Sequence, residues 1–336
     1  MPTLTVAGSS YDCTAEETVL DALQRHGVEV PNSCRKGACH SCMMRVMDGA
    51  VPAKAQAGLK KNFVHEGYFL ACQCRPDGDL TLASPNGAGA FQQATIVLTE
   101  PLADTVQRVV LRPETPLRYR AGQFVNLRRP DGLIRSYSLA SLPGPVPELE
   151  IHVKRLEGGA VSNWICDTLK PGSTVEIGAP MGTCFYLPAR EPQNMLLIGT
   201  GTGLAPLFGI ARDALLAGHQ GDIHFYHGSR TREGLYFHHP LRDMHAAHGN
   251  FHYHPCVSGR DVPDDCIAGR ADDIALQDSG DLAGWRVFLC GLPEMVHATR
   301  KQAYLKGASL ADIHADAFEL AARDTESAAE RTAAIG

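Results

Sequence analysis

Three cysteines in a short, glycine-containing segment constrain this chain more than any other feature of its sequence. Cys34, Cys39 and Cys42 follow the spacing Cys-x4-Cys-x2-Cys, and one tight loop of this kind can supply three of the four thiolates that hold a [2Fe-2S] cluster. Gly37 allows the backbone to turn closely around such a cluster. Zinc sites favour paired Cys-x2-Cys units, so the segment predicts an iron–sulfur loop, with a zinc site or buried free thiols as alternatives.

The fourth thiolate must come from a second segment, which offers two candidates. Cys72 and Cys74 close an apolar run, and both would lie on one face of an alternating strand, so periodicity does not choose between them. The loop and this run together resemble the plant-type ferredoxins, whose last ligand ends a Gly-aromatic-apolar-Leu-small-Cys segment. Residues 67–72 read Gly-Tyr-Phe-Leu-Ala-Cys, so the resemblance implies the metal ligands Cys34, Cys39, Cys42 and Cys72.

Length and charge limit the classes of protein that fit. A chain of 336 residues is long enough for two or three domains. With a net charge of -6 it has no polyanion-binding character, so we expect no nucleic-acid partner. Its start lacks the basic and apolar regions of a signal peptide, and the apolar stretch 195–210 is interrupted by glycines and a proline. We therefore expect a cytoplasmic protein without a membrane partner. In such a protein we expect the eleven cysteines to serve metal binding or catalysis rather than disulfide bonds.

The first part of the chain is typical of a β-grasp domain. Two short alternating runs around Gly8 predict a hairpin. Thr14 and Glu17 predict a capping box before a helix that Gly27 ends. A strand is predicted at Met43–Met47. We place the iron–sulfur domain at residues 1–84 and a turn-rich linker at 85–92.

Two further domains are predicted after the linker. Short β-runs separated by proline and glycine favour an antiparallel β-barrel at residues 93–190. Strands that alternate with helices then favour a parallel-sheet α/β domain at 191–322. The alanine- and glutamate-rich tail 323–336 has no apolar stripe and is predicted to be flexible.

Several motifs suit a flavin and a nicotinamide nucleotide. The segment 135–138 combines a cation, an aromatic ring and hydroxyl groups, and Gly159 with Ser162 stands where a helix N-terminus would hold phosphate. The turn 199–206 departs from the Rossmann Gly-x-Gly-x-x-Gly spacing. It nevertheless follows a buried strand, where a dinucleotide crevice is expected.

In this order the motifs resemble the ferredoxin–NADP reductase-like family from residue 94 to about 318. The resemblance places Thr200, Cys290 and Gly291 near the nicotinamide and Phe318 near the flavin ring. The catalytic candidates are Tyr137, Ser138, Cys290 and Phe318. The candidates for cofactor binding are Arg135, Ser136, Tyr137, Ser138, His152, Val153, Gly159, Ser162, Thr200, Gly201, Thr202, Gly203, Ser229, Arg230, Cys290, Gly291 and Phe318.

The domain order resembles the NAD(P)H-dependent reductase components of bacterial multicomponent oxygenases. This resemblance implies a monomer that takes hydride from NADH, with NADPH as the alternative, onto FAD. Single electrons would then pass through the cluster to an oxygenase component or a separate ferredoxin in aromatic hydrocarbon catabolism. A relay to a non-oxygenase acceptor such as a deoxysugar dehydratase, and a redox-sensing protein without turnover, are the alternatives.

Histidines are unusually dense between residues 238 and 254. His245 and His248 would share one helix face. A solvated face and a metal site are the two alternatives for these histidines, and since no carboxylate or cysteine stands at a suitable spacing, we favour the solvated face.

Overall fold

The computed structural model describes residues 2–28, 30, 35, 37, 42–59, 61–83, 91–188 and 192–318. Cys34 and Cys39, most of the predicted linker and the predicted tail lie outside these residues. The described residues build a mixed five-stranded sheet, an antiparallel six-stranded sheet and a parallel six-stranded sheet, in that order along the chain. This order confirms the predicted combination of a β-grasp domain, a β-barrel domain and a parallel-sheet α/β domain.

The β-grasp domain has the strand order β2-β1-β5-β3-β4, with α1 packed against a shared apolar core. The hairpin of β1 and β2 is confirmed, and its turn lies at Ala7 and Gly8, where Gly8 has a φ of +82°. The elements are β1 (Thr3–Val6), β2 (Ser9–Asp12), α1 (Val19–Arg25), β3 (Met43–Asp48), α2 (Lys61–His65), β4 (Tyr68–Leu70) and β5 (Leu80–Leu82).

The capping box of α1 lies one turn later than predicted. Thr18, not Thr14, is the N-cap: its hydroxyl accepts from the backbone N–H of Asp21 at 3.2 Å, and the Asp21 carboxylate accepts from the N–H of Thr18. Thr14 and Glu17 do interact through the Thr14 N–H, but they form a turn ahead of the helix. Thr18 takes the N-cap because Val19 is the first residue that α1 buries.

The β-barrel domain has the strand order β10-β7-β6-β11-β8-β9. A single bridge between Leu139 and Ile151 joins the two edge strands and closes the barrel. Its elements are β6 (Gln92–Ala103), β7 (Val106–Pro113), β8 (Phe124–Arg128), β9 (Ile134–Ser138), β10 (Leu149–Lys154), α3 (Ala160–Thr168) and β11 (Thr174–Ile177).

The α/β domain has the order β15-β14-β13-β12-β16-β17, and every neighbouring pair is parallel. Helix α4 covers one face with α5, and α6 covers the other with α7. The elements are β12 (Met195–Thr200), α4 (Leu204–Leu216), β13 (Ile223–Ser229), α5 (His238–Ala247), β14 (Phe251–Val257), β15 (Ile267–Ala268), α6 (Ala271–Asp278), β16 (Arg286–Gly291), α7 (Pro293–Leu305) and β17 (Ile313–Ala317).

The strand order reverses at β12, and this reversal locates a binding crevice. From β12 the chain proceeds outward through β13, β14 and β15, and then returns to the other side of β12 with β16 and β17. In open parallel sheets a crevice forms at such a switch point, outside the carboxyl ends of the two strands. In this chain those ends are Thr200 of β12 and Gly291 of β16.

Charged contacts fix the β-grasp domain against the barrel. Glu66, between α2 and β4, accepts from Arg45 of its own domain at 2.8 Å and from Arg120 of the barrel domain at 2.8 Å. The Arg120 guanidinium also lies 5.5 Å from the ring centroid of Phe185. Because β4 leads directly to Cys72, this contact joins the cluster segment to the barrel.

Along the described ranges, no helix has both the length and the apolar character that are needed to cross a bilayer.

Four histidines of the α/β domain are buried, at positions 219, 227, 238 and 314, and His238 corrects the expectation of a solvated face. His238 is 3% exposed, and its ring nitrogens contact the Tyr253 hydroxyl at 3.2 Å and the Asp265 carboxylate at 3.1 Å. His227 is fully buried and contacts the same hydroxyl at 3.2 Å. His245 and His248 are exposed as expected.

Stability should fall in mild acid because of His227. Burial lowers the pKa of His227 to about 3, whereas an unfolded histidine has a pKa of about 6.5. Below about pH 6.5 the unfolded chain therefore binds a proton that the folded chain excludes, so the free energy of unfolding decreases by up to about 1.4 kcal/mol per pH unit as the pH falls. Urea unfolding followed by circular dichroism at several pH values should show this slope reduced by about that amount in His227→Asn. The exposed His248→Asn should keep the wild-type slope, and an equal slope in His227→Asn would contradict the assignment.

Candidate functional site

Two of the four predicted cluster ligands lie at adjacent ends of paired strands. Cys42 precedes β3, and its backbone C=O accepts from the Ala71 N–H at 3.0 Å. Cys72 follows in the 3-10 turn that ends β4. The two side chains interact directly, and burial raises the pKa of Cys42 to about 11. Two neighbouring buried thiols are a donor set that suits iron.

Cys74 takes a different position. It is fully buried in the core of the β-grasp domain, and its backbone C=O accepts from the Val19 N–H at 2.8 Å. Burial raises the pKa of Cys74 to about 12, with a further contribution from Cys13. The turn at Ala71–Gln73 interrupts the strand, so Cys72 and Cys74 do not share a face as simple alternation predicts. The geometry supports Cys72 as the ligand, which stays a prediction because Cys34 and Cys39 lie outside the described residues.

Sequence reasoning missed Gln73. Its side-chain amide lies 3.4 Å from the Cys72 sulfur as a donor and 3.2 Å from the backbone oxygen of Arg35. It therefore ties the cysteine loop to the Cys72 turn. Hydrogen bonds to cluster sulfurs shift reduction potentials, so Gln73 belongs to the candidate site.

The two edge strands of the barrel separate beyond their bridge. Ala140 donates to the backbone of Glu150 at 2.8 Å, and the bridge at Leu139 and Ile151 follows. No further β9–β10 pairing occurs in this fully described part of the barrel, so the strand ends form a cleft. Tyr137 and Ser138 lie on one edge of this cleft.

The predicted residues of this cleft differ in how far their side chains are free to contact a ligand. Arg135 donates to the backbone of Ile134 at 2.8 Å, which leaves most of its guanidinium free for a phosphate. Ser136 donates to the Asn126 side chain at 2.7 Å. Tyr137 is half-buried, and burial raises the pKa of its phenol.

Both ring nitrogens of His152 already contact other side chains of the protein. The imidazole lies between the Glu150 carboxylate at 2.9 Å and the Tyr236 hydroxyl at 3.2 Å, and it is 4% exposed. Val153 is fully buried in the barrel core. These two predicted residues therefore present backbone groups, and not side chains, to a ligand in the cleft.

The start of α3 contains unsatisfied polar groups. The Ser162 hydroxyl and the Asn163 carbonyl oxygen are buried without a hydrogen-bond partner. A Cβ at Gly159 would lie 2.3 Å from the Ser162 oxygen, so only glycine fits beside it. Asn163 is the first residue whose N–H bonds back, to Gly159, which leaves the preceding N–H groups of the turn for a ligand. Such a helix start fits a phosphate of a dinucleotide.

Backbone segments approach closely at the switch point of the parallel sheet. A Cβ at Gly203 would lie 2.2 Å from the Cys290 carbonyl oxygen. Gly291 has a φ of +119°, and a Cβ there would lie 2.5 Å from the Thr200 carbonyl oxygen. Since a Cβ is excluded at both positions, the glycines allow the two strand ends to pack backbone against backbone. Such a switch point of a parallel sheet is where a dinucleotide is expected to bind.

The cleft and the crevice meet at a small set of polar side chains. Ser138 donates to Asp316 at 3.3 Å, and burial raises the pKa of Asp316 to about 6. Asp316 pairs with Cys290 across β16 and β17. The Cys290 sulfur lies 3.6 Å from the Cys184 sulfur, and burial raises the pKa of Cys290 well above its usual value. Phe318 follows, with its N–H bonded to Gly291 at 2.9 Å.

The structure thus brings Ser138, Cys290 and Phe318 together and adds Asp316 and Cys184, which sequence reasoning missed. Asp316 could have been predicted from the sequence, because it lies two residues before Phe318, at the end of the same predicted strand. Cys184 had none, since its position depends on how the barrel packs against the sheet.

Ser229 and Arg230 lie farther out, where β13 ends. The Ser229 carbonyl accepts from the Ser258 N–H at 3.0 Å. The Arg230 carbonyl leaves no room for a Cβ at Gly259. Arg232 is paired with Asp265 at 3.5 Å.

Three family models match the chain: the 2Fe-2S iron-sulfur cluster binding domain at residues 4–77, the oxidoreductase FAD-binding domain at 99–186 and the oxidoreductase NAD-binding domain at 197–301. The chain is 36% identical to the reductase subunit of an aromatic O-demethylase from an Amycolatopsis strain, over 94% of this chain and 98% of that one. It is 31% identical to the reductase component of the naphthalene 1,2-dioxygenase system of Pseudomonas putida, over 91% and 94%.

A solved structure agrees with these sequence relatives. The Amycolatopsis cytochrome P450 reductase GcoB is 35% identical and has a TM-score of 0.68, with 96% of this chain and 100% of that chain covered. The similarity therefore extends over all three domains.

Replacing Cys72 and Cys74 one at a time should separate their roles. Cys72→Ser should abolish the visible absorbance and the iron content of the cluster, because Cys72 contacts Cys42 and a serine oxygen is a poor substitute for a thiolate. Cys74→Ser should keep the cluster and only lower stability, because Cys74 lies in the core. Iron assays and absorption spectra of both variants check this, and the reverse pattern would move the ligand to Cys74.

Tyr137→Ala should weaken flavin retention. The loss of an aromatic stacking partner costs about 0.5–1.5 kcal/mol of binding free energy. The dissociation constant for FAD should therefore be severalfold to about tenfold larger than that of the wild type. Titration of the flavin-depleted protein with FAD measures this constant. Tyr304→Ala, at a tyrosine that is 53% exposed on α7, serves as the control and should bind FAD like the wild type. Equal constants for both variants would remove Tyr137 from the site.

Proposed function

Because the chain belongs to the family of NAD(P)H-dependent reductase components of multicomponent oxygenases, we propose that it supplies an oxygenase that acts on aromatic compounds. The chain is an oxidoreductase whose electrons pass from a nicotinamide nucleotide through FAD and a [2Fe-2S] cluster to an oxygenase component or a ferredoxin. The aromatic class of the final substrate is taken from the relatives, which serve an aromatic O-demethylase and a naphthalene dioxygenase.

The observation that supports hydride transfer between the two nucleotide sites of this chain is the contact between Ser138 and Asp316. Ser138 ends β9 in the barrel domain and Asp316 lies in β17 of the α/β domain, and their side chains are 3.3 Å apart. This contact places the end of β9 beside β17, which is the neighbour of β16 at the switch point. Two ligands that must exchange a hydride need such a common site, because that step depends on positioning more than on acid–base groups.

When bound, FAD accepts two electrons with a hydride and releases them singly, as the one-electron cluster requires. The residues of the chain provide the framework for this exchange. Arg135 and the start of α3 would hold the pyrophosphate, while Tyr137 would stack on the ring and exclude water from one face. Gly203 and Gly291 would let the backbones at Thr200 and Cys290 pack together, and the nicotinamide would lie against this paired surface. Thr200 is held in place by the Leu292 N–H, which donates to its hydroxyl at 3.3 Å.

Asp316 and Ser138 would control protons at the meeting point. Burial raises the pKa of Asp316 to about 6, and its carboxyl accepts the Ser138 hydrogen bond. This bond orients the Ser138 hydroxyl, whose oxygen can in turn accept a bond from a ligand N–H. Cys290 stays a neutral thiol and lines the crevice without charge.

At the other end of the relay, Cys34, Cys39, Cys42 and Cys72 would hold the cluster, and Gln73 would donate to the Cys72 sulfur. The ion pair of Glu66 with Arg120 would keep this end of the β-grasp domain against the barrel. A fixed contact there favours electron transfer within one chain.

We further propose that NADH is preferred over NADPH. A 2′-phosphate needs free cations near the end of β13, but Asp265 pairs with Arg232, Arg242 and His238. Arg232 and Arg242 are thereby neutralised, so the end of β13 offers less free positive charge to a 2′-phosphate.

Domain boundaries at 1–84, 93–190 and 191–322 fit the three sheets and the three matching family models. The nine described cysteines are all free thiols, which supports a reducing, cytoplasmic setting. We also propose that the protein is a monomer and that it has no nucleic-acid partner.

Anaerobic spectra of the purified protein, before and after addition of NADH or NADPH, test the function. We expect two iron atoms and one FAD per chain, and bleaching of both chromophores by NADH at concentrations where NADPH acts much more slowly. Steady reduction of ferricyanide by NADH should follow. Flavin bleaching with no change in the cluster absorbance would contradict the proposed electron transfer from FAD to the cluster. Equal bleaching rates with NADH and NADPH would contradict only the proposed preference for NADH.

A further inference from the structure

A cluster of two imidazoles and a carboxylate lies at the opposite edge of the parallel sheet from the crevice. Asp222 immediately precedes β13, and His224 is the second residue of that strand. His252 of β14 stands directly opposite His224 in the parallel register. Residues two apart on a strand face the same side of the sheet, so all three side chains converge, and each presents a ligand atom within 4.8 Å of the other two.

The distances in this cluster suit a small metal ion. His252 Nε2 lies 3.3 Å from Asp222 Oδ1. Zinc binds imidazole nitrogen and carboxylate oxygen at about 2.0–2.2 Å, which places two ligands of a tetrahedral site about 3.3–3.5 Å apart. The pair therefore already has the separation that zinc requires.

His254 occupies the position of an orienting partner. Its Nε2 lies 3.4 Å from His224 Nδ1, so the Nε2 of His224 is left to face a metal. Histidines that bind metals generally use their second ring nitrogen in such a contact, which fixes the tautomer and the ring orientation. His254 is itself held by Tyr226, whose ring stacks at 4.2 Å between centroids.

The surroundings hold the cluster in place and leave it accessible. The Asp222 N–H donates to the Asn194 side chain at 3.0 Å, and the Trp285 ring lies 5.6 Å from the His224 ring. The side chains of Asp222 and His252 are 52% and 31% exposed. An ion can therefore enter from solvent, with no rearrangement of the sheet.

We propose that Asp222, His224 and His252 bind one divalent transition-metal ion of the zinc class, with His254 as the orienting residue and water in the remaining position. Two imidazoles and one carboxylate match the preferences of zinc, cobalt and nickel more closely than those of magnesium or calcium. The ion would link β13 to β14 and stabilise this edge of the domain. Because the site lies at the amino ends of strands whose carboxyl ends form the crevice, its role is structural and separate from electron transfer.

The carboxylate of this proposed site lies far from His252 in the sequence. Asp222 and His224 lie about thirty residues before His252 and His254 in the chain. Only the parallel pairing of β13 with β14 brings the two pairs together.

Calorimetric titration of the intact protein with Zn²⁺ tests the proposal. The sample carries its FAD and its cluster, is freed of adventitious metal by a chelator and is desalted, and its iron and flavin contents are measured before and after. We expect one Zn²⁺ per chain in the wild type. Asp222→Asn and His252→Gln should weaken binding by tenfold or more, and His254→Ala by about tenfold to a hundredfold as a residue that acts through His224.

The matched control is His248→Gln, an exposed histidine outside the cluster, which should bind Zn²⁺ like the wild type. Zn²⁺ should also raise the thermal unfolding midpoint of the wild type and of His248→Gln but not that of His252→Gln. The NADH–ferricyanide rate should be unchanged by Zn²⁺. Absence of binding in the wild type, or undiminished binding in the double variant Asp222→Asn/His252→Gln, would overturn the site.

Discussion

The close approach of two strand ends, with no side chain between them, is the constraint on which the proposed chemistry depends. Gly203 lies against the carbonyl of Cys290, and Gly291 lies against that of Thr200. Any larger residue would push β12 and β16 apart at the point where the strand order reverses. The crevice is therefore a product of backbone contact, and the side chains around it only refine its shape and charge.

The polar groups that face this crevice come from two domains. Ser138 and Cys184 belong to the barrel, whereas Asp316 and Cys290 belong to the parallel sheet. The apolar core that contains Cys184 and Cys290 also joins barrel residues such as Tyr186 to residues of α4. Burial in this shared core explains the raised pKa of Asp316 and of Cys290, so the packing of the two domains sets the electrostatics of the site.

The cluster end of the molecule relies on a different kind of contact. Glu66 accepts from Arg45 and from Arg120, so one carboxylate connects the β-grasp domain to the barrel. This carboxylate is half-buried and has two cationic partners, and networks of this kind give more orientation than isolated surface pairs. The segment that follows it contains Cys72, which gives the contact a place in the proposed relay.

Alternation, glycine turns and apolar runs are local patterns, and they predicted the three kinds of sheet, their order and most strand positions. The family resemblance proposed Ser138, Cys290 and Phe318 as site residues. Alternation did not separate Cys72 from Cys74, and the family resemblance favoured Cys72; the 3-10 turn at Ala71–Gln73 interrupts the alternation and gives the two cysteines different positions. Only packing between domains revealed Asp316 and Cys184 beside Ser138 and Cys290, and only parallel pairing joined Asp222 and His224 to His252. The physical reason is the same in each case: these contacts join residues far apart in the chain, and no local pattern encodes which distant segments will meet.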